Sequence, residues 1–87
     1  MNRKIPSLRA LQCFEQTART GSVSQAAETL YLTQSAVSRQ IKTIEEFLGR
    51  PLFLREKQRL ILTKEGECYL DQVRSGLDDL ETATMRL

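Results

Sequence analysis

The chain of 87 residues is 40% hydrophobic and 28% charged, contains no histidine and carries a formal net charge of +2. Its length allows one small domain and excludes a multidomain enzyme, and the lack of histidine excludes Ser-His-Asp and Cys-His nucleophiles and zinc sites with imidazole ligands. Residues 1–64 hold 11 basic and 5 acidic residues, whereas residues 65–87 hold 2 basic and 6 acidic ones. This asymmetry favours a polyanionic partner for the first part, although small domains also acquire uneven charge by chance.

Cysteine content and hydropathy indicate the cellular compartment. Cys13 and Cys68 are too few for a disulfide-stapled fold and have no metal-ligand spacing, so we expect two reduced thiols that serve in packing. No apolar run approaches the ~20 residues that cross a bilayer, and no apolar stretch follows the basic residues at the start, as a signal peptide requires. These features predict a soluble cytoplasmic domain without a metal or a cofactor.

The first two predicted elements are short helices. Ser7 after a proline is typical of a helix start, and Gly21 is typical of its end. Ser22 and Gln25 then fit a capping box, in which each side chain accepts from the other residue's backbone N–H. The apolar residues at helical spacing are Leu8, Leu11, Phe14 and Ala18 in the first helix, and Ala26, Ala27 and Leu30 in the second.

The third predicted helix runs from Gln34 to Leu48, with Thr33 as its N-cap and with Gly49 and Pro51 at its end. Because a helix N-terminus carries partial positive charge and free N–H groups, its start favours a phosphate. One stripe is apolar and is expected to pack on the domain: Val37, Ile41, Ile44 and Leu48. The opposite face carries polar and charged groups: Ser35, Arg39, Lys42, Thr43 and Glu46, with Gln34 and Ser38 at its N-terminal margin.

Residues 52–63 have apolar ends around a polar, mostly basic centre, which predicts a β-hairpin with a charged tip. No Asn-Gly or Asp-Gly pair marks the turn, so its position stays open.

A long helix is predicted to run from residue 64 to residue 87. Its apolar positions recur at alternating steps of three and four, which is the pattern of a dimerising helix. The alternative is that the stripe packs onto its own domain, but the other predicted elements leave it no partner in the chain. The stripe consists of Leu70, Val73, Leu77, Leu80, Thr84 and Leu87.

Two short helices, a tight connection, a third helix with a polar face and a basic hairpin form, in this order, a winged helix-turn-helix. We therefore expect a mainly α fold with a DNA-binding domain at residues 6–63 and a linker and dimerisation helix at residues 64–87. The helix-turn-helix covers about residues 23–42, and the wing covers about residues 52–63. A helix of this kind fits the major groove, where base edges show a distinct hydrogen-bonding pattern.

Several stretches of the chain match one known family at gap-free spacing over about residues 6–66. The first are LRALQCF at 8–14 and GSVSQAAETL at 21–30, followed by TQSAVSRQI at 33–41 and IEEFLG at 44–49. Leu52-Phe53, Arg55 and LTKEG at 62–66 complete the pattern. Together they resemble the N-terminal domain of LysR-type transcriptional regulators, which implies a bacterial regulator that binds a specific sequence of double-stranded DNA.

The resemblance implies roles for single residues of the third helix. It puts Gln34, Ser35 and Arg39 at or near base edges, where arginine pairs with guanine and glutamine with adenine. Thr33 begins the same segment. Ser38 is available for a phosphate, and Lys42 is a phosphate contact rather than a base reader.

The wing of the family usually carries an arginine near its tip that reaches the minor groove. The matching position in this chain is Gln58, which departs from the family pattern. Lys57 and Arg59 flank it and could make the contact instead, and Arg55 belongs to the matched motif.

The resemblance also implies an assembly. The last helix would pair two subunits antiparallel, and the dimer would bind an inverted repeat. A small-molecule effector would act only through a C-terminal domain of periplasmic-binding-protein type, which these 87 residues do not contain. We expect the chain to be a piece of a longer regulator rather than a stand-alone module.

Plainer interpretations remain open. The polar residues of the third helix and the wing could be ordinary solvated surface, and a winged helix could dimerise through residues 67–87 without binding DNA. The basic third helix and wing argue against the latter, and no activated nucleophile pair or metal cluster supports an enzyme. The aromatic residues are expected in the core rather than in a base-stacking platform: Phe14, Tyr31, Phe47, Phe53 and Tyr69.

Overall fold

The computed structural model describes residues 4–57 and 59–87. The elements are α1 (Leu8–Thr20), α2 (Val23–Leu30), α3 (Gln34–Leu48), β1 (Phe53–Glu56), β2 (Arg59–Leu62) and α4 (Lys64–Met85). The predicted winged helix-turn-helix with a long last helix is confirmed, and that helix ends two residues before the expected end. None of the helices in these two ranges combines the length and apolarity that crossing a membrane requires.

Each helix begins at a hydroxyl side chain that accepts from a backbone N–H three residues later, as capping requires. The capping residues are Ser7, Ser22, Thr33 and Thr63. The predicted capping box is only half formed, because the Ser22 N–H donates to Thr20 Oγ1 at 3.2 Å and not to the Gln25 side chain. The hydroxyl of Thr20 has therefore taken the place that the sequence pattern gave to Gln25.

Helix α1 lies between two groups of buried side chains. Phe14 belongs to the first group and contacts the rings of Phe53 and Tyr69 at centroid distances of 5.6 and 5.7 Å. Since α1 contributes to both groups, it holds the helix-turn-helix, the wing and α4 together. The first group is Ala10, Phe14, Ile44, Leu52, Leu70 and Val73, and the second is Cys13, Ala26, Ala27, Val37 and Ile41.

Four side chains that were expected to pack inside are exposed instead. Phe47 and Leu48 follow Ile44, the last buried residue of α3, so the final turn of that helix extends past its packing partners. Tyr31 occupies the turn between α2 and α3, where no helix face directs it inward. Cys68 lies two positions before the buried stripe of α4, on the opposite side of the helix.

Cys13 alone has the packing role that was predicted for both cysteines. Its side chain is fully buried among the residues of the second group. Desolvation by this burial raises the pKa of the thiol, and the positive charge of Arg9 lowers it to a smaller extent. A thiol with these surroundings is chemically inert.

The apolar stripe of α4 is divided along its length. Leu70 and Val73 are 7% and 8% exposed because they pack in the group around Phe14, so the interpretation that the chain offers this stripe no partner is wrong. Leu77 packs partly against the same group. Leu80 is 60% exposed, and Thr84 and Leu87 are exposed as well.

The wing is an antiparallel pair in which Phe53 lies opposite Leu62 and Glu56 lies opposite Arg59. Side chains on opposite residues share a face, so Arg55 and Leu60 lie on the side of Phe53, toward α3. The other face exposes Leu54 and Ile61. Lys57, at the tip, has a left-handed backbone with φ 50°, and Gln58 lies outside the described residues.

Candidate nucleic-acid interface

The first two turns of α3 present a row of exposed polar side chains. Thr33 caps the helix by accepting from the Ala36 N–H at 3.1 Å. The buried stripe of α3 lies opposite Ser35, Arg39 and Lys42, whereas Gln34 and Ser38 are at the margin between the two faces. Because the apolar stripe fastens the helix to α1 and α2, the opposite face stands free. The exposed members are Gln34, Ser35, Ser38, Arg39 and Lys42.

These side chains are not engaged with the rest of the fold. Within residues 4–57 and 59–87, none of the five makes a side-chain hydrogen bond or an ion pair with another described residue. Their donors, acceptors and charges are therefore available to a partner, and no bond within this part of the chain has to break first.

Arg55 brings the wing to this face. It lines an open groove of about 360 Å³ between α3 and the wing, together with Ser38, Lys42 and Leu60. The groove continues toward the N-terminus of α2, where Arg55 and Ser38 are joined by Gln34 and the Ser22-Ser24 segment. Two cationic side chains, from α3 and from β1, thus border one groove, which the Ser38 hydroxyl and the Glu45 carboxylate also line.

The remaining wing residues of the predicted site stand apart from that groove. Lys57 is exposed at the tip, and Arg59 is exposed directly across from Glu56 in the hairpin register. Arg59 is thereby on the outer face of the wing, beside a carboxylate. The predicted position 58 lies outside the described part of the chain.

Glu46 limits how far the cationic part of α3 extends. It is exposed on the same face as Arg39 and Lys42, one turn beyond Lys42. A carboxylate there repels phosphate, so the exposed face of α3 favours a polyanion only in the N-terminal half of the helix.

Sequence reasoning missed the role of Glu45. Its carboxylate accepts from the Leu52 N–H at 2.8 Å and from the Phe53 N–H at 3.3 Å. Both N–H groups are at the start of the wing, so this side chain ties the wing to α3. The only signal in the sequence is an acidic residue near the end of a helix that is followed by a short loop.

The other end of the wing is held by Thr63. Its hydroxyl donates to the Pro51 carbonyl at 2.8 Å, and its backbone N–H donates to the Leu52 carbonyl at 2.9 Å. Gly66, one turn into α4, lies against the same Leu52 carbonyl, and a Cβ atom there would collide with that oxygen. These contacts set the position of Arg55 relative to α3.

Metal chemistry finds no support in this part of the structure. Among the described residues, no three His, Cys, Asp or Glu side chains are close enough together to hold a metal ion. The groups that the candidate interface does present are fixed positive charges, hydroxyls and an amide.

Comparison with known proteins identifies the family. The family model described as "Bacterial regulatory helix-turn-helix protein, lysR family" matches residues 8–67. The glycine cleavage system transcriptional activator of Escherichia coli (strain K12) is 44% identical over all 87 residues, and the chain spans 28% of its length. The HTH-type transcriptional activator AmpR of Rhodobacter capsulatus is 41% identical over the whole chain, which spans 30% of that protein. The relatives are transcriptional regulators, in agreement with the prediction that the chain is not an enzyme.

Solved structures agree with the sequence match. The CbnR_DBD–DNA complex superposes with a TM-score of 0.84 at 29% identity, over 92% of each chain. The complex of BenM_DBD with catB site 1 DNA superposes with a TM-score of 0.80 at 31% identity, over 92% of this chain and 93% of the other. The chain therefore belongs to the LysR family of bacterial regulatory helix-turn-helix proteins.

Proposed function

We propose that this chain reads a specific sequence of double-stranded DNA, with the N-terminal half of α3 in the major groove. The observation that carries the proposal is the free polar face of α3, with Arg55 across the groove from Lys42. The major groove admits a helix and distinguishes all four base pairs. Two related domains, those of CbnR and BenM, have been solved as complexes with DNA.

The contacts divide by their chemistry. Gln34, Ser35 and Arg39 face base edges, since amide and guanidinium groups form paired hydrogen bonds with adenine and guanine. Thr33 orients this segment through its cap. Phosphates are bound by Ser38, Lys42 and Arg55, and the wing tip with Lys57, Gln58 and Arg59 approaches the minor groove.

We also propose that two copies associate through the exposed part of the α4 stripe. An open groove of about 410 Å³ runs between the N-terminus of α1 and α4, and its lining is largely apolar. Ile5, Leu8 and Leu80 expose apolar surface there, next to the half-buried Leu77. Residues 6–63 then form the DNA-binding domain, and residues 64–87 form the linker and dimerisation helix.

A symmetric pair of subunits places its two α3 helices on half-sites related by the same two-fold axis. The bound site is therefore an inverted repeat. As part of a bacterial regulator the chain acts in the cytoplasm, and any small-molecule effector acts through a domain outside these 87 residues.

The test measures binding to a selected duplex and to a random duplex by fluorescence anisotropy. Arg39→Ala is expected to cost roughly 1–3 kcal/mol on the selected duplex and much less on the random one, because a base contact is lost. Arg86→Ala, which removes the same charge at the end of α4, is the matched control and should change neither affinity. Equal losses on both duplexes would show that Arg39 does not read a base.

Salt dependence tests the phosphate contacts separately. Each phosphate that the protein neutralises lowers log affinity by about 0.9 per unit of log salt concentration. Lys42→Ala should weaken binding to both duplexes alike and should reduce this slope by about 0.9 for each subunit. An unchanged slope would remove Lys42 from the interface.

A further inference from the structure

Tyr31 occupies a left-handed backbone position that glycine fills at the ends of α1 and α3. Gly21 and Gly49 end α1 and α3 with φ of 71° and 70°, and Tyr31 ends α2 with φ 57° and ψ 44°. The Tyr31 N–H donates to the Glu28 carbonyl at 3.3 Å, and the Leu32 N–H donates to the Ala27 carbonyl at 2.9 Å. This is the Schellman pattern, which disfavours any residue with a Cβ atom at that position.

The Tyr31 side chain makes no packing or hydrogen-bonding contact within the described residues that would offset this strain. It is 94% exposed, whereas the rings of Phe14, Phe53 and Tyr69 are buried or half-buried and in mutual contact. Its ring contacts no other aromatic ring, and its hydroxyl makes no hydrogen bond within the described residues. Glycine would form the same turn with less strain, so folding does not explain a large aromatic residue here.

We propose that Tyr31 contacts the sugar-phosphate backbone of the bound duplex, with its hydroxyl donating to a phosphate oxygen. Tyr31 comes two residues before the N-cap Thr33, at the end of α3 that enters the groove. The phosphates line the rims of a groove, so a side chain immediately outside the inserted end of the helix meets the backbone rather than a base edge. Tyrosine hydroxyls are among the groups that bind phosphate oxygens in protein–DNA complexes.

This inference rests on the proposed function, because it assumes that the N-terminal end of α3 is the end that meets the duplex. It adds a neutral contact to a face whose other phosphate ligands include the cations Lys42 and Arg55. A neutral donor displaces no counterion of its own, so its contribution should not depend on salt concentration.

The experiment compares Tyr31→Gly, Tyr31→Phe and the unmodified chain by thermal unfolding and by DNA binding at several salt concentrations. Tyr31→Gly should raise the unfolding midpoint, because strain is relieved, and should weaken binding about five- to tenfold on both selected and random duplexes. The loss should be the same at every salt concentration. Tyr31→Phe, which keeps the ring and removes the hydroxyl, should show most of the loss without the gain in stability.

Phe47→Ala is the matched control, since it removes an exposed aromatic ring from the last turn of α3, and it should leave binding unchanged. The proposal is overturned if Tyr31→Gly binds both duplexes as tightly as the unmodified chain, or if it lowers the unfolding midpoint. Failure of the proposed function gives a different result, in which the unmodified chain itself shows no preference for any duplex.

Discussion

At the scale of single residues, the contact between Gly66 and the Leu52 carbonyl decides how closely α4 approaches the wing. A Cβ atom at position 66 would collide with that oxygen and come within 3.0 Å of Leu62 Cδ2. The carbonyl is fixed, because it also accepts from the Thr63 N–H. A helix normally favours alanine over glycine. The glycine in the first turn of α4 is therefore explained by the close approach of this helix to the Leu52 carbonyl.

Gly66→Ala is therefore expected to destabilise the fold by about 1–3 kcal/mol, since overpacking outweighs the gain in helix propensity. Gly76→Ala supplies the control in the same helix, because within one subunit nothing lies within 4 Å of the added atom. Since Gly76 lines the groove that we assign to the second copy, both variants are compared in the Leu80→Glu background, which is expected to be monomeric. Gly76→Ala should be more stable by about 0.5–1 kcal/mol. Urea unfolding of both variants at one protein concentration measures the two changes, and the same sign for both would contradict the packing argument.

Hydrophobic periodicity predicted buried side chains well in the middle of the helices and poorly at their ends. Val37, Ile41 and Ile44 are buried as expected, but Leu48 has the same spacing and is exposed. Periodicity reports which side of a helix a residue is on; it does not report where the neighbouring helix ends. The role of Glu45 could not be predicted for a related reason. Its carboxylate accepts from two backbone N–H groups that come near it only because of the way the loop after α3 folds back.

At the scale of elements, the wing is held to the helices by hydrogen bonds at its base. Glu45 holds the start of β1 from α3, and Thr63 connects the end of β2 to the Pro51 carbonyl. A two-stranded hairpin is marginally stable by itself. These base contacts, with Phe53 and Leu62 packed against the core, therefore position the wing relative to α3.

Glu45→Ala is expected to loosen the wing, because it leaves two backbone N–H groups without their charged acceptor. Such bonds contribute about 1.5–3 kcal/mol each when the acceptor is ionised and shielded, so a loss near the lower value is expected at this half-buried site. DNA affinity should fall as well, through misplacement of Arg55. Hydrogen exchange at Leu52 and Phe53 measures the first effect directly.

Glu46→Ala removes the same charge from the next residue, which is exposed and whose side chain makes no hydrogen bond or ion pair within residues 4–57 and 59–87. It should leave the exchange rates of Leu52 and Phe53 unchanged and should strengthen DNA binding slightly by removing a repulsive charge. If Glu45→Ala leaves the exchange rates unchanged too, the wing does not depend on this carboxylate.

Element boundaries were predictable because the caps are local. Ser7 and Thr33 each cap the helix that the sequence assigned to them, and α4 begins at residue 64 as predicted. The hairpin turn was not predictable, because Lys57 adopts the left-handed conformation that glycine or asparagine usually supplies. The capping box formed only half for another reason: the Thr20 hydroxyl, two positions before Ser22, accepts from the Ser22 N–H, and the capping-box pattern considers only residues 22–25.

At the scale of the whole molecule, the uneven charge supports the orientation toward DNA that we propose. The first 64 residues carry a net charge of +6 and contain α3 and the wing, whereas residues 65–87 carry a net charge of −4. A polyanion attracts the first part and repels the outer face of α4. The molecule is elongated, with extents of 44 × 27 × 21 Å, and α4 is its longest element.

The first turns of α4 pack in the core, whereas its last turns are exposed in the single subunit. A charge at Val73 would therefore unfold the domain, since that side chain is 8% exposed in the core. Leu77 is intermediate, because it packs partly on the same group. Leu80 is the first residue of the stripe that is exposed, so a substitution there should affect association of the two copies without unfolding the domain.

Leu80→Glu is expected to give a folded monomer, because it puts a charge into the apolar groove that we assign to the second copy. Thr82→Glu adds the same charge on the opposite side of α4 and should remain dimeric. Sedimentation equilibrium measures the mass of each variant, and circular dichroism checks that both stay folded. The monomer should bind a single half-site with about half the salt slope of the dimer on the full inverted repeat, since it neutralises half as many phosphates. A Leu80→Glu variant that still sediments as a dimer would move the interface away from this groove, while the contacts of α3 with DNA would be unaffected.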